Sequence, residues 1–249
     1  MAANVLLVTG GSRGIGAATA QLAGERGYAV CVNYRENGAA AEQVVERITQ
    51  AGARAVAVAA DVSREADVLR LFATVDRELG PLTALVNNAG RLAPQMRVEQ
   101  MDAARLQAIF ATNIVGAFLC AREAVKRMST RHGGPGGAIV NVSSAAARLG
   151  SPREYVDYAA SKGAIDTMTI GLSREVAVDG IRVNAVRPGL IYTEIHASGG
   201  EPARVDRLKA AMPMQRGGDP LEVARAILWL LSDEASYSTG TFIDVTGGW

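Results

Sequence analysis

Seven short apolar runs alternate with six longer segments of helical periodicity, and this alternation strongly constrains the fold. The apolar runs lie at 4–9, 29–34, 54–60, 82–87, 137–142, 181–187 and 241–245. Apolar residues recur at the i, i+3, i+4 spacing of amphipathic helices at 14–26, 38–51, 64–79, 102–130, 155–178 and 219–232. Strands that alternate with helices are typical of parallel sheets covered by helices on both faces. We therefore predict an α/β fold with a doubly wound parallel sheet.

No linker divides the chain, because the GGPGG cluster at 133–137 is short enough to connect a helix to a strand tightly. We predict a single domain over residues 1–249. Segment 190–218 is polar, contains Pro202 and Pro213, and has neither a clear strand nor a long helix. In compact α/β enzymes such a segment is often a substrate lid. A solvated surface excursion is equally compatible with the sequence.

Charge and cysteine content exclude several classes of partner. The chain has 26 basic and 25 acidic side chains, so no overall field would draw it onto nucleic acid or a membrane surface. No uninterrupted apolar span has membrane length, and no basic leader precedes the first run. The two cysteines and two histidines are isolated, which fits a reducing compartment and argues against a zinc site. We expect a cytoplasmic protein that binds small molecules or its own copies.

A glycine-rich turn, TGGSRGIG at 9–16, follows the first apolar run and opens the first helical segment. Such a turn lets the backbone approach a pyrophosphate, to which a helix N-terminus offers unpaired N–H groups and partial positive charge. Its position between a strand and a helix predicts a dinucleotide site. The turn residues assigned to this site are Gly10, Ser12, Arg13, Gly14, Ile15 and Gly16.

The second apolar run ends without an acidic residue where a dinucleotide enzyme contacts the adenosine ribose. Asn33, Tyr34 and Arg35 stand there, whereas an acidic side chain would bind the ribose hydroxyls of NAD and repel the 2′-phosphate of NADP. Arg35 and Arg13 could contact a 2′-phosphate, or could simply face water. The sequence favours NADP(H) over NAD(H). After the third run, Asp61 either contacts the adenine amino group or caps the next helix.

Seven motifs, in order along the whole chain, resemble those of the short-chain dehydrogenase/reductase family. They are TGGSRGIG at 9–16, NNAG at 87–90, Asn113, VSS at 142–144, YAASK at 158–162, RPGLIYT at 187–193 and TGTFIDVTGG at 239–248. The resemblance implies a Rossmann-type sheet of seven strands, a homotetramer, and hydride transfer between a nicotinamide cofactor and a carbonyl or alcohol. Within the family, the chain resembles NADP-dependent carbonyl reductases related to 3-oxoacyl-carrier-protein reductases and to glucose and other sugar dehydrogenases.

The chemistry of ketone reduction predicts different roles for the two tyrosines of YVDYAASK at 155–162. Hydride addition places negative charge on the oxygen, so an acid must lie within hydrogen-bond reach. Lys162 follows Tyr158 by one helical turn, and its charge favours the phenolate that alcohol oxidation needs. Tyr155 has Ala159 at the corresponding position. We predict that Tyr158 is the general acid/base and that Tyr155 is a packing or pocket-wall residue.

The resemblance implies further site residues. A serine after the fifth strand would hold the substrate oxygen, and Ser144 matches the family position better than Ser143. The segment from Ser144 to Tyr158 is, however, one residue longer than the commonest family spacing. Asn113 would hold a water that links Lys162 to solvent. The other residues that the resemblance assigns to the cofactor are Val62, Asn88, Ala89, Gly90, Tyr158, Lys162, Pro188, Gly189, Ile191 and Thr193.

Three arginines near the expected substrate mouth bear on the charge of the substrate. Arg91 replaces the apolar residue that the family usually has after NNAG, and Arg148 and Arg153 lie between the serine and the tyrosine. They could select an anionic substrate, or lie solvated with their stems over apolar surface, which we favour. The functional alternative to a reductase is an NAD(P)-binding regulatory or scaffold protein without turnover. The intact Tyr158 and Lys162 argue against it.

Overall fold

A seven-stranded parallel sheet runs through the protein, whose structure, a computed structural model, describes residues 4–249. Its strands are β1 (Val5–Val8), β2 (Ala29–Tyr34), β3 (Ala55–Ala59), β4 (Ala84–Asn87), β5 (Gly137–Val142), β6 (Ile181–Pro188) and β7 (Phe242–Val245). They pair in the order β3-β2-β1-β4-β5-β6-β7, and every pairing is parallel. This order confirms the predicted Rossmann-type sheet.

Helices cover both faces of the sheet. Those in the described part of the chain are α1 (Gly14–Glu25), α2 (Gly38–Gln50), α3 (Glu65–Glu78), α4 (Ala103–Phe110), α5 (Gly116–Met128), α6 (Ala146–Leu149), α7 (Val156–Val176), α8 (Ile195–Ser198), α9 (Arg204–Leu208) and α10 (Pro220–Leu231). Alternate side chains of a strand point to opposite faces, so Ile139 and Val140 of β5 belong to two separate apolar cores. The core that contains Ile139 includes residues of α3 and α5, and the other includes residues of α1, α2 and α10.

The predicted helix over 102–130 is interrupted at its middle. A π-helical turn, Ala111–Val115, joins α4 to α5. The whole stretch Ala103–Met128 is long and apolar enough to cross a membrane by composition. Its residues Cys120 and Met128, however, are buried in the core beneath the sheet. We therefore assign the stretch as a core helix of a globular fold.

The strand order reverses between β1 and β4. β2 and β3 lie on one side of β1, whereas β4 pairs with the other side of β1 and is followed by β5, β6 and β7. Ligands of open α/β sheets bind in the crevice that such a reversal creates at the carboxyl ends of the strands. The glycine-rich turn after β1 and the NNAG motif after β4 both lie at this crevice.

Segment 190–218 packs against the carboxyl end of the sheet and carries α8 and α9. Leu190, Val205 and Met212 are buried in a small apolar core of their own. The Ile191 and Gly218 backbones form a parallel bridge that closes the segment into a loop. The segment is therefore an ordered, packed structure at the mouth of the crevice.

Candidate active site

A cavity of about 620 Å³ opens at the carboxyl ends of the strands. Its volume is in the range that small-molecule and cofactor sites occupy. The half beside β2 and β3 includes Asn33, Arg35 and Asp61, while the half beside β5 and β6 includes Ser144 and Tyr158. Segment 190–218 contributes part of the wall.

The glycine-rich turn between β1 and α1 fits a phosphate group. Gly10 has a φ of +62°, in the left-handed region that favours glycine. A Cβ atom at Gly16 would lie 2.3 Å from the Gly10 carbonyl oxygen, so this close approach excludes any side chain. The residue that precedes α1, Arg13, makes no side-chain cap. The first N–H groups of α1 are therefore available to a phosphate, and the residues present fit the pyrophosphate of a dinucleotide.

Asn88 fixes the glycine-rich turn from the neighbouring strand. Its Nδ2 donates to the carbonyl oxygens of Thr9 and Gly10, both at 2.9 Å. The backbone N–H groups of Asn88 and Ala89 donate to Thr9 Oγ1 at 3.0 Å. The resemblance assigned Asn88 to the ribose side, and the structure adds this supporting contact to the turn itself.

Asn33 and Asp61 make backbone contacts at the nucleotide end of the cavity. Asn33 is buried, and its Oδ1 accepts a hydrogen bond from the Gly10 N–H at 3.2 Å while its Nδ2 donates to the Ala60 carbonyl oxygen at 3.0 Å. Asp61 Oδ1 accepts from the backbone N–H and the hydroxyl of Ser63, at 2.9 and 2.7 Å. The N-cap position of α3 is Arg64, whose side chain makes no capping hydrogen bond. Asp61 lies three residues earlier, in the turn that leads into α3.

Arg35 is exposed at the rim of the same end. Its Nη2 lies 2.5 Å from Glu36 Oε1, in an exposed ion pair. Both residues line the cavity, as does Arg13 of the glycine-rich turn. Exposed pairs of this kind contribute little to stability, so the contact with Glu36 does little to hold Arg35 in place.

Tyr158 and Lys162 of α7 line the other half of the cavity together. Lys162 Nζ lies 5.6 Å from the centre of the Tyr158 ring and donates a hydrogen bond to the Val142 carbonyl oxygen at 2.8 Å. Burial raises the pKa of Tyr158 to about 12, and the nearby Ser144 hydroxyl opposes this shift. Burial lowers the pKa of Lys162 to about 8, and the Asp166 carboxylate opposes it. Burial thus disfavours each charge alone, while an adjacent opposite charge favours both.

The two serines after β5 have different surroundings. Ser143 Oγ is buried and donates to Asp166 Oδ1 at 2.6 Å. Ser144 Oγ accepts from the Ala146 N–H at 3.1 Å and lies beside the Tyr158 hydroxyl. The Ser143 proton is thus directed to Asp166, whereas the Ser144 hydroxyl is directed to the Tyr158 hydroxyl on the cavity wall.

Asn113 lies in the π-helical turn, behind Lys162. Its Oδ1 accepts from the Arg91 N–H at 2.7 Å, and its Nδ2 donates to the Arg91 carbonyl oxygen and to Ser161 Oγ, both at 3.0 Å. A Cβ atom at Gly90 would lie 3.7 Å from Lys162 Nζ and 3.9 Å from Asn113 Oδ1. Lys162 and Asn113 therefore both border Gly90. The spacing of apolar residues predicted a plain helix here, because a π-helical turn has no pattern of its own.

Comparison with known proteins identifies the family. A family model described as enoyl-(acyl carrier protein) reductase matches residues 10–249. The protein described as uncharacterized oxidoreductase YgfF, from Escherichia coli strain K12, is 63% identical over 98% of this chain and 99% of its own length. This chain belongs to the short-chain dehydrogenase/reductase family. It is therefore an oxidoreductase of alcohol and carbonyl groups that uses NAD(P)(H).

Two further relatives of this short-chain dehydrogenase/reductase agree with the assignment. Glucose 1-dehydrogenase 2 of Bacillus subtilis is 39% identical over 97% of this chain and 93% of its own length. The crystal structure of a short-chain type dehydrogenase/reductase from Mycobacterium marinum matches with a TM-score of 0.91 at 31% identity, over 98% of this chain and 94% of that one. Sequence and fold thus agree over more than nine-tenths of this chain and of each of the two proteins.

Almost all site residues predicted from the sequence converge on the one cavity. Those on its wall are Gly10, Ser12, Arg13, Gly14, Ile15, Asn33, Tyr34, Arg35, Asp61, Val62, Asn88, Ala89, Gly90, Ser144, Tyr158, Lys162, Pro188, Gly189, Ile191 and Thr193. Gly16 and Asn113 are not on the wall. They contact residues that form the wall: Gly16 approaches Gly10 closely, and Asn113 hydrogen-bonds to Arg91.

The three substrate-side arginines do not act as a group. Arg91 lines the cavity, but Arg148 and Arg153 do not. Arg148 Nη1 lies 2.5 Å from Asp244 Oδ2 in an exposed ion pair. An anion site built from Arg148 and Arg153 is therefore not formed.

Arg204 of α9 is a cavity residue that no pattern in the sequence identified. It is buried, with Nη2 2.5 Å from Glu154 Oε2 and Nη1 2.8 Å from Glu201 Oε2. Its guanidinium carbon lies 5.1 Å from the centre of the Tyr155 ring, and the Tyr155 hydroxyl donates to the Gly199 carbonyl oxygen at 3.2 Å. Tyr155 is thus a buried wall residue that joins the start of α7 to segment 190–218.

A buried ion pair, also missed from the sequence, holds the start of α7. Arg105 Nε donates to Asp157 Oδ2 at 2.7 Å, and Arg105 Nη1 donates to the Pro94 carbonyl oxygen at 2.7 Å. Asp157 Oδ1 accepts from the Tyr158 N–H at 2.9 Å. The pair therefore fixes the backbone at Tyr158 and links it to the segment after β4.

Proposed function

We propose that the protein is an NADP(H)-dependent carbonyl reductase, or dehydrogenase of the corresponding alcohols, with Tyr158 as general acid/base. The observation that carries the proposal is the convergence of Tyr158, Lys162 and Ser144 on the cavity that also contains the glycine-rich turn. A bound nicotinamide cofactor supplies the hydride. The name of the relative glucose 1-dehydrogenase 2 supports an alcohol and carbonyl pair as the reacting groups.

The side chains divide the proton chemistry between them. During reduction, Ser144 donates a hydrogen bond to the carbonyl oxygen, and the Tyr158 hydroxyl delivers its proton to that oxygen as negative charge develops. The Lys162 ammonium stabilises the phenolate that remains. Asn113 holds a water that returns a proton from solvent towards Lys162. In the alcohol-oxidising direction, the Tyr158 phenolate accepts the hydroxyl proton.

NADP(H) is the preferred cofactor in this proposal because Arg35 and Arg13 lie at the rim of the nucleotide half. Arg35→Ala should weaken NADPH binding by roughly tenfold or more, the scale of losing hydrogen bonds to a charged group, and should leave NADH binding nearly unchanged. The dissociation constants are measured by nucleotide fluorescence. Arg97→Ala, at an exposed arginine outside the cavity wall, is the control. Equal loss for both cofactors would contradict the preference.

Turnover separates the reductase from a regulatory or scaffold protein. The test is the loss of NADPH absorbance with a panel of ketones, aldehydes and β-ketoesters. The proposal expects turnover of at least one class. Tight NADPH binding without turnover of any class would favour the regulatory alternative.

We also propose a cytoplasmic homotetramer. The exposed apolar side chains Val115, Phe118 and Ile170, on the outer surfaces of the π-helical turn, α5 and α7, support association with further copies. Light scattering of the purified protein measures the mass, and a monomer would contradict the proposed assembly.

A further inference from the structure

Trp249 lies on the wall of the cavity, in its substrate half. It follows β7, which is the edge strand beyond β6, whereas β2 and β3 with the nucleotide residues lie at the opposite edge. Trp249 is 37% exposed. A large aromatic side chain that is exposed on a cavity wall provides apolar surface that a bound ligand can bury.

The residues that precede Trp249 are held by contacts with the turn after β6 and with segment 190–218. The Gly189 N–H, at the turn after β6, donates to the Val245 carbonyl oxygen at 2.9 Å. The Met214 N–H donates to the Gly247 carbonyl oxygen at 3.1 Å. Gly248 packs closely on Pro213, because a Cβ atom at Gly248 would lie 2.9 Å from Pro213 Cβ. The backbone from Val245 to Gly248, which carries Trp249, is therefore held between the turn after β6 and segment 190–218.

Leu149 of α6 is a second exposed apolar residue on the same wall. The ion pair between Arg148 and Asp244 ties α6 to β7, which places Leu149 and Trp249 on neighbouring elements of the substrate half. Leu92 adds a buried apolar contact to the wall. The substrate half thus combines an apolar surface with the polar groups expected at the reacting oxygen.

Most positive charge on this side is already neutralised. Arg204 pairs with Glu154 and Glu201. Arg91 is exposed on the wall and has no carboxylate partner among residues 4–249. It is the residue through which an anionic substrate would be selected, so the test below includes an anion.

We propose that Trp249, together with Leu149, binds the non-reacting part of the substrate, and that this part is an uncharged aromatic or alicyclic group attached to the carbonyl. The assignment rests on the proposed function, since it defines the substrate half relative to Ser144 and Tyr158. Trp249 is then a residue that determines specificity rather than one that takes part in proton transfer.

Steady-state kinetics with NADPH test this assignment on three ketones: acetophenone, the small ketone butanone and the anion phenylglyoxylate. Trp249→Ala should raise the KM for acetophenone roughly tenfold, the scale of losing an apolar contact in a pocket, with little effect on butanone. Trp249→Phe should restore most of the loss. Trp229→Phe, at the only other tryptophan, is the control and should change neither KM. An unchanged KM for acetophenone in Trp249→Ala would overturn the proposal, as would preference of the wild type for phenylglyoxylate.

Fluorescence gives a readout that does not depend on turnover. The Trp229→Phe variant retains Trp249 as its single tryptophan. Titration of this variant with acetophenone, in the presence of NADP⁺, should give saturable quenching of its emission. Linear quenching, as for free N-acetyltryptophanamide, would overturn the Trp249 assignment. Saturable quenching without turnover of any ketone would support the binding surface at Trp249 and refute the proposed reductase activity. Failure of the Trp249 assignment can therefore be distinguished from failure of the proposed function.

Discussion

Arg105→Met should destabilise the protein strongly, because it removes one partner of a buried ion pair. The Arg105 and Asp157 side chains are only 10% and 1% exposed, with 2.7 Å between Nε and Oδ2. Methionine retains much of the apolar stem but leaves the Asp157 carboxylate without its cation. Breaking a buried pair from one side costs about 3–5 kcal/mol. Asp157 keeps its hydrogen bond from the Tyr158 N–H, so we expect the lower end, about 3 kcal/mol.

Urea unfolding at one fixed protein concentration measures this loss. The double-mutant cycle with Asp157→Asn should give a coupling energy of about 2–3 kcal/mol, within the range for directly contacting residues. Arg97→Met is the matched control, because Arg97 pairs with Glu99 while both side chains are more than half exposed, and it should cost less than about 1 kcal/mol. Equal effects of Arg105→Met and Arg97→Met would refute the reasoning.

Three further predictions concern the proton chemistry. Ser144→Ala should lower kcat/KM roughly 100-fold, the scale of losing one hydrogen-bond donor to a developing oxyanion, and Ser143→Ala should lower it less; the reverse order would contradict the assignment. Alcohol oxidation should accelerate as pH rises, since it needs the phenolate of Tyr158, whose pKa burial raises to about 12. Lys162→Met should slow oxidation more at pH 7 than at pH 10, because the Lys162 ammonium, with a pKa of about 8, stabilises the phenolate mainly at the lower pH, and an equal effect at both pH values would contradict this role. Burial lowers the pKa of Lys162 from 10.5 to about 8, so between these pH values the unfolded state binds more protons than the folded state. In urea unfolding, the wild type should therefore gain stability relative to Lys162→Met as pH rises from about 8 to 10.5. A stability difference that does not change with pH would argue against the lowered pKa of Lys162.

The sheet could be predicted from the sequence because the strands between its two edges are buried on both faces. Such strands are continuous apolar runs, and six of the seven predicted runs contain the whole observed strand, with β2 and β5 matching at both ends. β6 extends one residue beyond its run, to Pro188. The glycine-rich turn and the pair Tyr158 and Lys162 could also be placed, since their chemistry depends on short spacing along the chain. Local patterns of this kind can be recognised in a sequence without knowledge of tertiary contacts.

Contacts between distant residues could not be predicted. Arg105 and Asp157 are 52 residues apart, and nothing in either neighbourhood indicates that they meet. The π-helical turn at Asn113 was hidden in an apolar pattern that also fits a regular helix. Arg148 was placed at the substrate mouth, but its pairing with Asp244 of β7 turns it away from the cavity wall. The position of Trp249 likewise depends on how segment 190–218 folds over the strand ends.

Tyr158→Phe is the measurement that tests the proposed mechanism most directly. It removes only the hydroxyl that is assigned to donate the proton, so NADPH should bind with a dissociation constant within about twofold of wild type, while kcat/KM should fall roughly 100- to 10,000-fold. Tyr155→Phe is the control, because it removes a hydroxyl that hydrogen-bonds to Gly199 instead of facing the reacting group, and it should retain most activity. Near-normal turnover by Tyr158→Phe, or an equal loss in Tyr155→Phe, would contradict the assignment of Tyr158 as the general acid/base.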